Sequence, residues 1–210
     1  MSLNIKYNKD LEAERIKNTL SKMSWFNEHG YEFLLPKKFN YKNDSDTYIR
    51  QCIEEEYHIE DYAKVAKQIN KDYLPVDVQY TQALKELFGE NICTDFEVIL
   101  TKYGTGGSYW LPNKIIINII NKHKPQSKVV LHEICHLMIE KNILKYKLLQ
   151  LEKERTVDLI LNSKSFEFLN YSWWNDYYGK TEKYIDEHFE KEFFKSPENF
   201  FKKVSSVRNK

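Results

Sequence analysis

Residues 129–140 read VVLHEICHLMIE, an apolar run that contains a few polar side chains. His132 and His136 are four residues apart, and Glu133 directly follows the first histidine. Side chains at positions i and i+4 of an α-helix lie on one face, so both imidazoles can point to one place. The apolar positions follow a helical stripe: Leu131, Ile134, Cys135 and Met138. The run therefore predicts a largely buried helix that carries three ionisable groups, with Cys135 as part of its apolar face.

The three polar residues have the chemistry of a metal site with a catalytic base. Imidazole nitrogens bind Zn²⁺ at about 2.0–2.1 Å, and His132 and His136 are spaced to supply two of them. A metal lowers the pKa of a bound water, and Glu133 could take its proton as general base. The alternative is a chance match on a buried helix, although burying these groups unpaired would be costly. We therefore expect Zn²⁺ as the cofactor.

A second stretch, LEKERTVDLIL at residues 151–161, can complete this site. Glu154 and Asp158 are four residues apart and would share a helical face. Together with HEICH, this stretch resembles the gluzincin pattern, in which HExxH is followed on a later helix by ExxxD. The resemblance implies that Glu154 is the third zinc ligand. It also implies that Asp158 accepts a hydrogen bond from a ligand histidine and so fixes its tautomer.

The third ligand has alternatives. Glu152 is the nearest rival of Glu154, and Glu140 is less suitable because it lies on the first zinc helix itself. His188 is the only histidine downstream of HEICH, but it lies far along the chain. Glu154 and Asp158 could also belong to a solvated helix face. A metzincin continuation would require glycine and histidine after the second histidine, and residues 137–142 contain neither.

The resemblance covers roughly residues 95–160 and extends to compact members of the wider group, the ImmA/IrrE-type and minimal gluzincin peptidases. In gluzincin-like peptidases a strand before the zinc helix forms the upper edge of the cleft, and KIIINII at 114–120 takes that place here. An edge strand can hold an extended peptide through backbone hydrogen bonds. The oxyanion would need a further donor. Candidates after the second zinc helix are Tyr171, Tyr177, Tyr178 and His188.

Periodicity along the chain predicts an α+β fold. Helices are expected at residues 8–25, 46–72, 76–88, 127–142 and 144–161, and mostly helix is expected over 166–207. Strands are expected at 96–103 and 114–120, as a hairpin or as neighbours, with a turn at Gly104–Gly107. We interpret this order as a zincin-like core with a small mixed sheet, flanked by helical terminal regions. The predicted domains are a helical accessory region, 1–92, and a metallopeptidase core, 93–210.

Composition restricts the partners. The 210 residues carry 32 Lys and Arg against 31 Asp and Glu, a net charge of +1, which does not indicate nucleic-acid binding. No apolar stretch is long enough for a membrane span, and the amino terminus has no signal-peptide pattern. Three widely spaced cysteines without a paired motif are typical of reduced thiols. We therefore expect a cytoplasmic protein.

Together these features predict a zinc-dependent peptidase of gluzincin type. It would hydrolyse a peptide or protein substrate with a metal-activated water, and Glu133 would be the general base. Two alternatives remain open. One is a regulatory or toxin-like module that has the zincin fold and binds metal with little proteolytic activity. The other is a helical structural protein without a metal.

Overall fold

The computed structural model describes residues 1–120, 125–171 and 183–208, the last range without the side chains of its two end residues. Its strands are Ser2–Lys6 (β1), Asp95–Thr101 (β2), Gly107–Trp110 (β3) and Lys114–Asn118 (β4). Its α-helices are Lys9–Glu28 (α1), Asp46–Glu56 (α2), Ile59–Tyr73 (α3), Asp77–Phe88 (α4), Gln126–Tyr146 (α5), Gln150–Leu161 (α6), Lys183–His188 (α7) and Pro197–Arg208 (α8). A 3-10 helix spans Lys164–Leu169, and a π-helical segment spans Phe189–Phe193. This mixture confirms the predicted α+β class.

The four strands form one mixed sheet in the order β1-β2-β4-β3. β1, β2 and β4 are parallel, and β3 runs antiparallel to β4. The expectation that KIIINII is an edge strand is wrong, because β4 is hydrogen-bonded to a strand on each side in the described sheet. Ile115 and Ile117 are fully buried, as expected for a β-branched run inside a sheet. Next to β4, the terminal strand of the described sheet is β3, which follows the predicted turn.

Strand β1 was not predicted, since residues 1–92 were expected to be helical. Leu3 pairs with Phe96 and Ile5 with Val98 in the parallel register of β1 and β2. Parallel neighbours need a long crossover connection, and the chain from α1 to α4 provides it. Residues on both sides of the predicted boundary at residue 92 therefore share one sheet.

The chain forms two compact units. The first consists of Met1–Pro75 and Thr94–Glu133, and the second consists of Val76–Cys93 and Ile134–Lys210. The sheet and helices α1 to α3 make up most of the first unit, and α4, α6, α7 and α8 belong to the second. The division falls inside α5, between Glu133 and Ile134. Within the described residues, every helix is too short or too polar to cross a membrane.

The helix predicted at 46–72 is two helices, α2 and α3, separated at Tyr57 and His58. Both residues have extended backbone angles. The carbonyl of Glu56 accepts a hydrogen bond from the Lys102 side chain at 2.6 Å, and the ring of Tyr57 stacks on that of Tyr62. These contacts with distant residues override the helical periodicity of the sequence, which contains no Pro or Gly at this point.

The ends of the two motif helices also differ from the prediction. Helix α5 continues past Asn142 to Tyr146, because Ile143 is buried one turn after Ile139 and extends the apolar stripe. The residue after the helix, Lys147, has a positive φ of 51°, which is not helical. The next helix begins at Gln150 rather than near Leu144.

Candidate metal centre

Helix α5 holds the three polar residues of HEICH in a buried environment. His132, Glu133 and His136 are 4%, 6% and 1% exposed, and the apolar residues around them are equally buried. Cys135 is fully buried, and burial together with the charge of Asp158 raises its pKa. The predictions that this run forms a helix and that Cys135 is a core residue are thus confirmed.

Three potential ligands converge at one place: His132, His136 and Glu154. One imidazole nitrogen from each histidine and one carboxylate oxygen lie within 4.8 Å of one another. Nε2 of His136 is 3.2 Å from Oε2 of Glu154. Two ligand atoms that each lie about 2.0–2.1 Å from a tetrahedral ion are about 3.3 Å apart, so this separation fits a shared metal. The group could hold a metal ion.

Glu154 is the carboxylate that joins the histidines. Glu152 has both oxygens in other hydrogen bonds, from the Leu149 N–H at 2.7 Å and from the Tyr184 hydroxyl. Neither Glu140 nor His188 belongs to a potential ligand group among the described residues. The sequence alternatives for the third ligand are therefore not brought together with the histidine pair.

Asp158 lies one turn after Glu154 on α6 and is 1% exposed. The hydroxyl of Tyr171 donates a hydrogen bond to its Oδ1 at 3.4 Å. The charge of Asp158 raises the pKa of the Cys135 thiol on α5, so the two side chains interact electrostatically. The predicted hydrogen bond from a ligand histidine to Asp158 stays a prediction.

The candidates for stabilising an oxyanion are only partly described. Tyr177 and Tyr178 lie outside the described residues. Tyr171 is buried and uses its hydroxyl on Asp158. His188 is the half-buried last residue of α7. Neither Tyr171 nor His188 gains a catalytic role from its position, and the roles of Tyr177 and Tyr178 stay predictions.

Glu133 lies against the first residue of β3, a contact that the sequence did not predict. A β-carbon at Gly107 would overlap Oε1 of Glu133 and would lie 2.7 Å from Cγ1 of Val129. A larger residue at this position would require the Glu133 carboxylate and the Val129 side chain to shift. The turn at Gly104–Gly107 therefore connects two strands and also brings the backbone of Gly107 against the expected general base.

Arg15 of α1 lies on the other side of this loop. Its Nη2 donates to the Thr105 hydroxyl at 3.2 Å, and that hydroxyl donates to the carbonyl of Gly107 at 3.2 Å. Burial lowers the pKa of Arg15 to about 10, while the charges of Glu133 and Glu12 act to raise it. Arg15 therefore stays positively charged at neutral pH, and it interacts electrostatically with the Glu133 carboxylate. No sequence pattern indicates this contact, because arginine in an amphipathic helix is usually solvated.

Gln150, the first residue of α6, contacts Glu154 directly. Its amide donates a hydrogen bond to Oε1 of Glu154 at 2.6 Å. The i, i+4 spacing of these residues is visible in the sequence and could have indicated the contact.

Comparisons of the chain with protein-family models, with curated proteins and with solved structures found no match. The structure supports a possible metal site formed by His132, His136 and Glu154, and no comparison supports a particular family for it.

Proposed function

We propose that this protein is a zinc-dependent peptidase of gluzincin type. The convergence of His132, His136 and Glu154 carries the proposal. Two imidazoles and one carboxylate are the ligand set of many catalytic zinc sites, which keep one position for water or substrate. Glu133 directly follows His132 on α5 and is only 6% exposed, which supports hydrolysis rather than purely structural metal binding.

Each residue of the proposed site would have a separate role in hydrolysis. His132, His136 and Glu154 would hold Zn²⁺, which when bound lowers the pKa of a water and polarises a carbonyl. Glu133 would accept the proton of the attacking water and pass it to the leaving amine. Its carboxylate lies against Gly107, so the base is held close to the backbone of β3.

Strand β3 supports a peptide as substrate. It is a terminal strand of the described sheet and pairs with β4 on one side. An extended peptide could add to such a strand through main-chain hydrogen bonds. Because Gly107 is the first residue of β3 and contacts Glu133, a peptide bound there would pass near the base.

The test combines metal analysis with peptide cleavage by the full chain. We expect about one zinc per chain, which His136→Ala should lose because a ligand is missing. Glu133→Gln should keep zinc and reduce cleavage of a quenched-peptide mixture by roughly 10²–10⁴-fold, the usual contribution of a general base. Glu140→Gln on the same helix is the matched control and should retain both properties.

Three outcomes would contradict the proposal. Absence of zinc after loading would favour the structural protein without a metal. Stoichiometric zinc without cleavage of any peptide would favour the regulatory or toxin-like module. Equal cleavage by wild type and Glu133→Gln would remove the general base from the mechanism.

A further inference from the structure

The carboxylate of Glu154 has two oxygens in different environments. Oε2 lies 3.2 Å from Nε2 of His136, at the converging ligand group. Oε1 accepts the hydrogen bond from the Gln150 amide at 2.6 Å. The amide therefore takes one oxygen and leaves the other directed to the histidine. The side chain of Glu154 is 22% exposed, so it could otherwise adopt other rotamers.

The first turn of α6 is itself fixed. Glu152 accepts a hydrogen bond from the backbone N–H of Leu149, the residue before Gln150. The other oxygen of Glu152 accepts from the Tyr184 hydroxyl of α7. One turn later, Arg155 makes a two-pronged ion pair with Asp186 of α7, at 2.8 and 2.6 Å. The helix that carries Gln150 and Glu154 is thus anchored on both sides of the contact.

We propose that Gln150 is a positioning residue that orients Glu154 for metal binding. Partners that hydrogen-bond a metal-ligating carboxylate fix its orientation and raise metal affinity. A carboxylate already held in place also loses less side-chain freedom when it binds. The proposal rests on the metal-binding part of the proposed function and is independent of any hydrolysis.

An ordinary explanation competes with it. Gln–Glu pairs at i and i+4 stabilise helices slightly wherever they occur. Helix α4 contains such a pair, because Gln82 donates to Glu86 at 3.0 Å. Glu86 is not part of a potential ligand group in the described residues. The pair on α4 therefore separates a helix-stabilising role from a positioning role.

The experiment measures zinc affinity by competition with a chromophoric chelator in the full chain. Gln150→Met keeps the length of the side chain but removes the donor, and it should weaken zinc binding by roughly 10- to 100-fold. Gln150→Ala should give the same loss. Gln82→Met is the matched control and should bind zinc as tightly as wild type. Thermal unfolding of the zinc-free proteins should show equally small shifts for both methionine variants.

Wild-type affinity in Gln150→Met would overturn the inference, and so would an equal loss in Gln82→Met. A wild-type chain that binds no zinc would overturn it together with the metal site. Zinc binding that depends on Gln150 in a chain without peptidase activity would support the inference and contradict the proposed function. The failure of one is thus distinguishable from the failure of the other.

Discussion

Helices α1 and α5 both bury ionisable side chains, but they do so in different ways. On α1, Glu12 accepts hydrogen bonds from the Tyr62 hydroxyl and from the Lys102 N–H at 2.8 Å. Arg15 on the same helix donates to the Tyr103 carbonyl and to Thr105. One oxygen of Glu12 has two donors and Arg15 has two acceptors, so these contacts compensate part of the charge buried on α1.

On α5 the arrangement is convergent instead. Nitrogen atoms of His132 and His136 come together with an oxygen of Glu154, and all three are atoms that bind cations. Burial is equally deep on both helices, so burial does not identify a metal site. The convergence of ligand atoms is what indicates a possible metal site. This difference predicts that changes on α1 affect folding, whereas changes on α5 affect metal binding and chemistry.

The largest effect is expected from Arg15→Met. Removing a buried cation leaves the charges of Glu12 and Glu133 less compensated, and breaking buried charge pairs costs about 3–5 kcal/mol. Urea unfolding of the zinc-free protein should show this loss. Lys17→Met is the matched control, because its ion pair with Asp46 is exposed and should contribute little to stability. Equal losses in the two variants would show that the buried charge of Arg15 contributes no more to stability than the exposed charge of Lys17.

Gly107→Ala should reduce peptide cleavage more than it reduces zinc binding. The new methyl group would collide with the Glu133 carboxylate, and a displacement of a catalytic group by about 1 Å can reduce the rate roughly 100-fold. Peptide cleavage should fall while zinc content stays near one per chain. Ser108→Ala, at the next position of β3, should have little effect on either.

A second measurement on Gly107 does not need activity. In a Glu133→Ala background the collision is partly relieved, so Gly107→Ala should destabilise the chain less than it does in wild type. A double-mutant cycle on the free energy of unfolding measures this coupling. Additive effects would show that Gly107 and Glu133 do not meet.

The smallest effect concerns Glu12 and pH. Burial raises the pKa of Glu12 to about 7 from 4.5, despite the opposing effects of Tyr62, Lys102 and Arg15. Between these two values the folded protein keeps a proton that the unfolded chain has released, so stability falls as pH rises and becomes level above about 7. The decrease between pH 5 and pH 8 should be about 2–3 kcal/mol, since one pKa unit corresponds to 1.36 kcal/mol.

Glu12→Gln should remove that decrease, because glutamine does not titrate. Urea unfolding at pH 5 and pH 8 measures the difference between wild type and variant. Glu14→Gln, an exposed position on the same helix, should follow the wild-type curve. An unchanged pH dependence in Glu12→Gln would show that the carboxyl does not titrate in this range.

Local patterns predicted the α+β class, the HEICH helix and strands β2 and β4 correctly, but they missed β1 and the break between α2 and α3. The helix with His132, Glu133 and His136 follows from 3.6-residue periodicity, since i and i+4 share a face regardless of the rest of the fold. The two strong strands β2 and β4 follow from their β-branched composition. Glu154 was predicted as the third ligand from the spacing of a family pattern. Helical periodicity alone did not distinguish it from Glu152.

Contacts between distant residues could not be predicted in this way. The pairing of β1 with β2 joins residues more than ninety positions apart, and neither segment specifies its partner. The break at Tyr57 depends on Lys102 and Tyr62. The same applies to Gly107, whose lack of a side chain matters only because Glu133 lies beside it.

The sequence by itself determined that this chain is an α+β protein with two histidines and a glutamate on one helical turn, because helical geometry is local. Only the tertiary structure decided that Glu154 and not Glu152 meets the histidines, since capping and Tyr184 occupy Glu152. It also decided that β3 rather than β4 ends the sheet. Which groups converge depends on how the elements pack, and packing is set by the whole chain.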